Sequence, residues 1–488
     1  MKTKIILGQL ILILLFASCE YQFPEAEMST PEDLGEINTD NVIAVGDGYL
    51  AGAMDGALYT AGQQNSVAAI FASQLNNISE APFIQPEIDA ENGFNFYAST
   101  ENNIYGKWIF KFVNQADENP VLKLTSGQIV QDYQGDKNVL NNVAVPMLSV
   151  AQLSIPPLKS NPYFTRVFAN ESKNIAEQIV EKSPTFLLCW FGMNDYLNFA
   201  MEGATDTELL TSGEIFQNNL SFLVDEIIQK TDSKIILGNL VSIKDLPYFY
   251  LKQYNFIRLT NQEKSAAQAR YSAFNQGVAA YNVGLPADQR RAFISFEDNG
   301  ATLYPQPVVV EDNTLPDANY PDGRPLEKYR QLTEEEMALL SITDNMVESG
   351  YGSVIPLPDE YYLSARQMSL IKERYIAFNQ AIENIYQQYP DRIAWVDIQQ
   401  KVKEIADTGK SDAWGIFVSN DIIDADGVPL EGNLDMNSIF SLDGVHFNQR
   451  GNAFIANIFI KKLNLAFHSN IQEARINDFV GNIFTFSF

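Results

Sequence analysis

Four short runs of this chain carry no position suited to a solvent-facing strand edge. They lie at 42–45 in NVIAVGD, 186–190 in PTFLLCWFGMND, 235–237 in KIILGNL and 393–396 in RIAWVDI. A strand with one wet face alternates apolar and polar residues. Runs that are apolar throughout need cover on both faces, the situation of a parallel sheet between helices. Stretches with apolar residues at i, i+3, i+4 spacing separate them: NSVAAIFASQL, EIFQNNLSFLVDEIIQKT and SARQMSLIKERYIAFNQAIENIYQQY, the last with Ser364 placed to cap it. The alternation predicts an α/β fold, a central parallel sheet in a three-layer sandwich.

The chain opens MKTKIILGQLILILLFASC. Lys2 and Lys4 precede an apolar stretch too short for a bilayer span, which takes about 20 residues, so residues 1–18 read as a secretory signal. Ala17 and Ser18 before Cys19 resemble a bacterial lipobox. Cys19 is then the lipidated first residue of the mature chain, carrying acyl chains such as palmitate. An outer-membrane location follows as an expectation, with the face undetermined. Residues 19–40 are acidic and proline-bearing and read as a tether. The one remaining cysteine, Cys189, sits inside FLLCWFG as a buried core thiol, so no disulfide framework is available.

With 61 acidic against 33 basic residues the chain carries a net charge of −28. That excludes nucleic acid, whose phosphates need clustered Lys and Arg, and it keeps the body off anionic lipid except through its anchor. An apolar content of 46% marks a folded body rather than a disordered one.

Residues 301–365, rich in Pro, Gly and Asp, break the strand–helix rhythm. They read as an insertion lying over a body that spans 41–470, with one short helix at 333–342. The tail, 471–488, ends GNIFTFSF, where Phe484, Phe486 and Phe488 alternate. That pattern is a strand with one apolar face, either packed on its own body or offered to a partner's sheet edge.

Four blocks carry the candidate chemistry: VGDGYLAG after the first apolar run, NNVAVPMLSV at 141–150, WFGMNDYL at 190–197, and SLDGVHFNQRGNAFIANIF at 441–459. The chain has two histidines, His446 and His468. So few argue against a histidine-rich metal site, and no cofactor is implied. His468, in LAFHSN, reads as structural or solvated. Asp443 and His446, three apart in a loop, suit an imidazole oriented by a carboxylate.

In their order these blocks resemble the SGNH (GDSL-type) hydrolases, and in particular their long lipid-anchored members. Asp55, Gly56, Ala57, Leu58, Tyr59, Gly62 and Gln63 match an extension of the first block, and 238–249 and 355–364 also look like that subgroup. The resemblance implies a flavodoxin-like sandwich and assigns roles by position. Asp443 and His446 match the carboxylate and base, and Asn194, within Gly192-Met193-Asn194-Asp195, matches the oxyanion asparagine. The family's nucleophilic serine is here Gly48, and its block-two glycine is Met147. Glycine cannot form an acyl-enzyme, and a flexible thioether at 147 would fill the substrate space. Tyr49 is expected to point away from the elbow.

Two functions follow. One is a catalytically inactive, lipid-anchored scaffold or accessory subunit of an outer-membrane protein complex, in which Asp443 and Asn194 persist as a buried hydrogen-bonded network. The other is an ester hydrolase, or a binder of acylated glycans or lipids, in which His446 activates water and Asn194 polarises a carbonyl.

Overall fold

A computed structural model of the 488-residue chain describes residues 32–112, 121–297, 303–410 and 423–486. The candidate signal, Cys19 and most of the tether therefore lie outside the described residues. The four apolar runs form the strands β1 (Val42–Gly46), β2 (Phe186–Trp190), β3 (Lys234–Gly238) and β4 (Ile393–Val396), all parallel and adjacent in that order. Every residue of β1 and β2 is buried. Block two continues the sheet beyond β1. Ala44 donates to the Asn141 carbonyl at 2.8 Å, while Val143 and Val145 donate back to Ala44 and Gly46 at 2.9 and 3.0 Å.

The second segment in sequence thus sits outside the first and the third inside it, the order of a flavodoxin-like doubly wound sheet. Such a sheet opens a crevice at the carboxyl ends of its strands where the order reverses. That point lies between β1 and β2, whose ends deliver Gly46-Asp47-Gly48 and Phe191-Gly192.

Helices α1 (Val67–Asn76), α2 (Gly213–Lys230), α3 (Ala365–Gln388) and α4 (Gln449–Phe467) cover the sheet. Their starts follow from short polar caps. Ser66, Ser212 and Asn448 each accept an N–H of the first turn, and Ser364 forms a reciprocal capping box with Gln367. Phe186 stacks on Phe71 of α1, and Trp190 meets Phe459 of α4 edge-on, so these helices share one face. Side chains of alternate strand residues point to the opposite face, where α2 and α3 pack through the Phe216–Phe378 stack, centroids 4.2 Å apart. Cys189 is fully buried and free, its thiol pushed up to about 12 by burial, as befits an inert core residue.

A second, smaller core lies in the connection between β3 and α3. It gathers Ile257, Leu259, Tyr271, Phe274, Val308, Val310, Leu357 and Tyr362 among others, so the packed insertion begins well before residue 301. The helix expected at 333–342 is absent. Leu339 and Leu340 donate their N–H groups to the Tyr361 and Tyr248 carbonyls, both at 3.0 Å, and Met337–Ala338 pairs with Tyr362–Leu363. These outside partners remove the donors an α-helix needs. A short helix forms instead at Asp344–Glu348, capped by Thr343.

Two boundary segments also pack more closely than their composition implies. Asp33 bridges to Asn470 and Ile37 is buried, so the chain joins the body ahead of residue 40. At the other end Phe484–Phe486 pairs in parallel with Phe110–Phe112 of the chain's own hairpin, Tyr105–Phe112 with Val121–Ser126. Phe488 lies outside the described residues.

One ion cluster fastens the insertion to α3. Arg330 donates to both oxygens of Glu336, at 2.6 and 2.7 Å, and to Asp312 at 2.5 Å. Glu336 also accepts the N–H of Ala365 at 3.3 Å, in the first turn of α3. Arg330→Ala leaves two poorly hydrated carboxylates facing each other and is expected to cost about 3 kcal/mol. Hydrogen exchange would show the loss concentrated in 251–363. Lys159→Ala, which breaks an exposed pair with Glu171, should change stability by less than about 0.5 kcal/mol. Equal effects of the two substitutions would refute this account.

Candidate functional site

The strand β1 ends in a turn that starts a one-turn helix, Gly48–Ala51. Asp47 caps it, accepting the Tyr49 N–H at 3.1 Å. Burial pushes the Asp47 carboxyl up to about 7, opposed by that N–H and by His446.

Gly48 follows with no positive φ, so its backbone conformation is open to any residue. What forbids a side chain is a neighbour: a Cβ built at Gly48 would stand 2.6 Å from Nε2 of His446 and 3.2 Å from Cβ of Ala53. Real Cβ atoms essentially never come that close to another heavy atom. The imidazole occupies the space a side chain at residue 48 would need.

His446 is held there firmly. Its Nδ1 lies 2.8 Å from Oδ2 of Asp443. That oxygen also accepts the Gly56 N–H at 2.8 Å, and Oδ1 accepts the N–H groups of Val445 and His446 and the Ser441 hydroxyl. Burial works against charge on both partners. Their mutual attraction and the hydrogen bonds prevail, lowering Asp443 to about 2 and raising His446 above its ordinary value. His446, Asp443 and Asn194 are only 8%, 7% and 8% exposed. Tyr49 supports the ring from within, its hydroxyl donating to the Val445 carbonyl at 3.1 Å and its ring centroid 5.0 Å from the imidazole. It does point away from the cleft.

Blocks two and three meet beside this pair. Val145 and Leu148 close a turn with Pro146 and Met147 at its centre, the Leu148 N–H donating to Val145 at 3.1 Å. Met147 has φ +68°, the left-handed conformation that favours glycine at this place in a turn. The backbone keeps a glycine's shape while the residue is not one. Asn194 donates to the carbonyl of Leu148 at 3.2 Å, so one of its two amide hydrogens is already spent on structure. Gly192 has φ +119°, and a Cβ on it would stand 2.7 Å from the Phe216 ring, which explains a glycine there. Asp195 anchors the next turn of block two by accepting the Val150 and Ala151 N–H groups at 2.7 and 3.1 Å.

The structure therefore joins Gly48, His446 and Asp443 directly and Met147 to Asn194 through Leu148, while Gly192 packs against Phe216. His468 lies apart. It caps α4 in a left-handed conformation, with Nδ1 3.0 Å from Glu36.

Motif reasoning gave the Asp55–Tyr59 stretch a likeness but no role, and the structure supplies one. Asp55 accepts the Leu442 N–H at 2.9 Å and the Tyr59 hydroxyl at 2.7 Å, while its own N–H donates to Ser441. With Gly56 on Asp443, this segment clamps the histidine loop. The Asp-Gly pair before an apolar run was the available signal, because such a pair marks a tight turn.

Chemically the site offers an oriented, buried imidazole, but neither a hydroxyl nor a thiol at the elbow. Among the described residues no group of three His, Cys, Asp or Glu side chains could hold a metal ion.

No protein-family model matches the chain, and no curated protein does. Solved structures to which it is similar are SGNH/GDSL-type esterases. Axe2, an acetylxylan esterase from Geobacillus stearothermophilus, is 10% identical with a TM-score of 0.33, over 89% of this chain and 98% of that one. A catalytic mutant of the same esterase is 11% identical with a TM-score of 0.31, over 90% and 96%. A protein assigned as a GDSL-like lipase from Parabacteroides merdae is 11% identical with a TM-score of 0.31, over 89% and 100%. At this distance the sheet order and the site stand on their own geometry.

Two measurements probe the packing. Gly48→Ala should cost about 1–3 kcal/mol by overpacking against the imidazole, and most of that cost should vanish in a His446→Ala background. A double-mutant cycle with no coupling would contradict the close approach. The second concerns pH. Folding raises the Asp47 pKa from 3.8 to about 7, so this group's stabilising contribution is complete below its unfolded pKa and is lost as pH rises through about 7. Asp47→Asn keeps the acceptor for Tyr49 and cannot ionise. Its stability relative to the parent should therefore rise between about pH 4 and pH 7 and level off above, read by urea unfolding. A gap that stays constant would mean that Asp47 titrates normally.

Proposed function

We propose that this chain is a lipid-anchored outer-membrane protein whose SGNH-like body has lost ester hydrolysis and serves as a scaffold or accessory subunit for a protein partner. The observation that carries this reading is the 2.6 Å separation between a would-be Gly48 Cβ and Nε2 of His446. The nucleophile is missing, and the volume it needs is filled by the residue that would activate it. Loss of a nucleophile alone costs several orders of magnitude in rate. Met147 in a glycine's conformation and an Asn194 amide committed to Leu148 weaken the oxyanion side as well. The lipobox-like Ala17-Ser18-Cys19 supports the anchor, and the second core between β3 and α3 supplies surface beyond what a minimal hydrolase needs.

A fluorophosphonate probe tests the inactivity. The parent chain should take no label at 46–50, and Gly48→Ser should also stay unlabelled, because His446 must move before a serine fits. Labelling of the parent would overturn the reading outright. For the partner, purification under mild detergent should recover a stoichiometric complex; recovery only as a free monomer counts against the scaffold role.

The intact Asp443–His446 pair, 2.8 Å apart, favours one second reading: slow hydrolysis of acylated glycans or lipids by water activated at His446, or binding of such ligands without turnover. An ester panel on the parent and on His446→Ala separates the two. Turnover abolished by that substitution would replace the scaffold with a weak hydrolase.

A further inference from the structure

The net charge of −28 conceals a local reversal on the sheet formed by the hairpin and the C-terminal strand. Successive strand residues alternate faces. Trp108 turns toward the body, where a Cβ on Gly56 would meet its ring at 3.2 Å. Ile109 and Lys111 point the other way, paired in register with Lys123 and Val121. The C-terminal strand pairs with this hairpin from Phe484 on Phe110, directly after Ile483. Val121 is 40% exposed, Ile483 is 61% exposed, and Lys123 is also exposed. This outward face thus mixes Ile109 and Val121 with Lys111 and Lys123, beside the exposed Ile483, and its strands contribute no carboxylate to it. The chain as a whole has 61 acidic residues against 33 basic ones.

We propose that this face docks on an anionic lipid surface. Lysines next to aliphatic side chains fit the boundary where headgroups give way to acyl chains: the ammonium stays among phosphates while the stem and its neighbours dip below them. Charge complementarity selects anionic over neutral lipid. The three strands carry lysine as their only charged side chain, and charge farther than about 8 Å away is screened at physiological salt. The chain outside the structure agrees in length. Residues 20–31 reach at most about 40 Å when extended, so a body anchored at Cys19 stays within reach of the bilayer. Docking itself needs no anchor.

Vesicle flotation of the full chain carrying Cys19→Ser tests the proposal without any acyl chain. The lipids are phosphatidylcholine with and without phosphatidylglycerol. A lysine near an anionic surface contributes about fivefold, so K111E/K123E should lower binding to the anionic vesicles at least about twentyfold. K401E/K403E, the same charge change on the helix Ile398–Gly409, should leave it unaltered. K111Q/K123Q gives a milder version for which folding is not at issue, and circular dichroism checks each variant. Equal flotation of K111E/K123E and K401E/K403E, or equal binding to neutral and anionic vesicles, would overturn the docking face. The anchor is read separately, by labelling the parent's Cys19 with palmitate, so either idea can fail without the other.

Discussion

The carboxylate of Asp443 is the group on which this site depends. Its two oxygens accept five hydrogen bonds, from Gly56, Ser441, Val445 and both the backbone and ring nitrogens of His446. An isolated buried carboxylate would take a proton. Here the donors and the imidazole hold its charge, and that charge in turn sets the direction of the ring. Remove any one member and the others are left desolvated and unpaired. Such a network stabilises the loop in its own right, whatever chemistry the site performs.

The sheet explains how distant segments reach this carboxylate. Block two pairs outside β1 while β2 pairs inside it, so the loops after β1 and β2 emerge on either side of one crevice. Asp47 is buried at the end of β1, and its raised pKa records what burial costs an acid there. The histidine loop arrives from the start of α4, where Asn448 caps the helix and also donates to the Ser438 and Phe440 carbonyls at 2.7 and 3.1 Å. The C-terminal segment closes the back of this loop through Asn482, which donates to Phe440 and Leu434 at 3.0 Å each. The tail and its hairpin are thus joined to the site by continuous hydrogen bonding.

Much of this was legible from residue order. The four apolar runs became the four strands because no register could give them a wet face, and α1, α2 and α3 follow the i, i+3, i+4 spacing of their sequences. The pairing of Asp443 with His446 was readable from a three-residue spacing. Failures came where a side chain's partner lies far away in sequence. The stretch 333–342 looks helical by itself. Glu336 is drawn instead to Arg330, and Leu339 and Leu340 donate to Tyr361 and Tyr248. Asp55 carried no readable role because its partners are about 387 residues away. The second core was invisible because its members are scattered from Ile257 to Tyr362 with no shared period.

By itself the sequence determined the layered α/β architecture and the absence of a nucleophilic side chain at residue 48, since hydrophobic periodicity and the identity of one residue are local properties. Only the tertiary structure decided what became of the vacancy. What stands beside an elbow glycine depends on which distant residue the fold brings there, and here it is His446, whose Nε2 lies 2.6 Å from where a Cβ would be. The lysine face was likewise settled only by the fold, because net charge sums over the whole chain while a sheet register selects which few residues stand side by side.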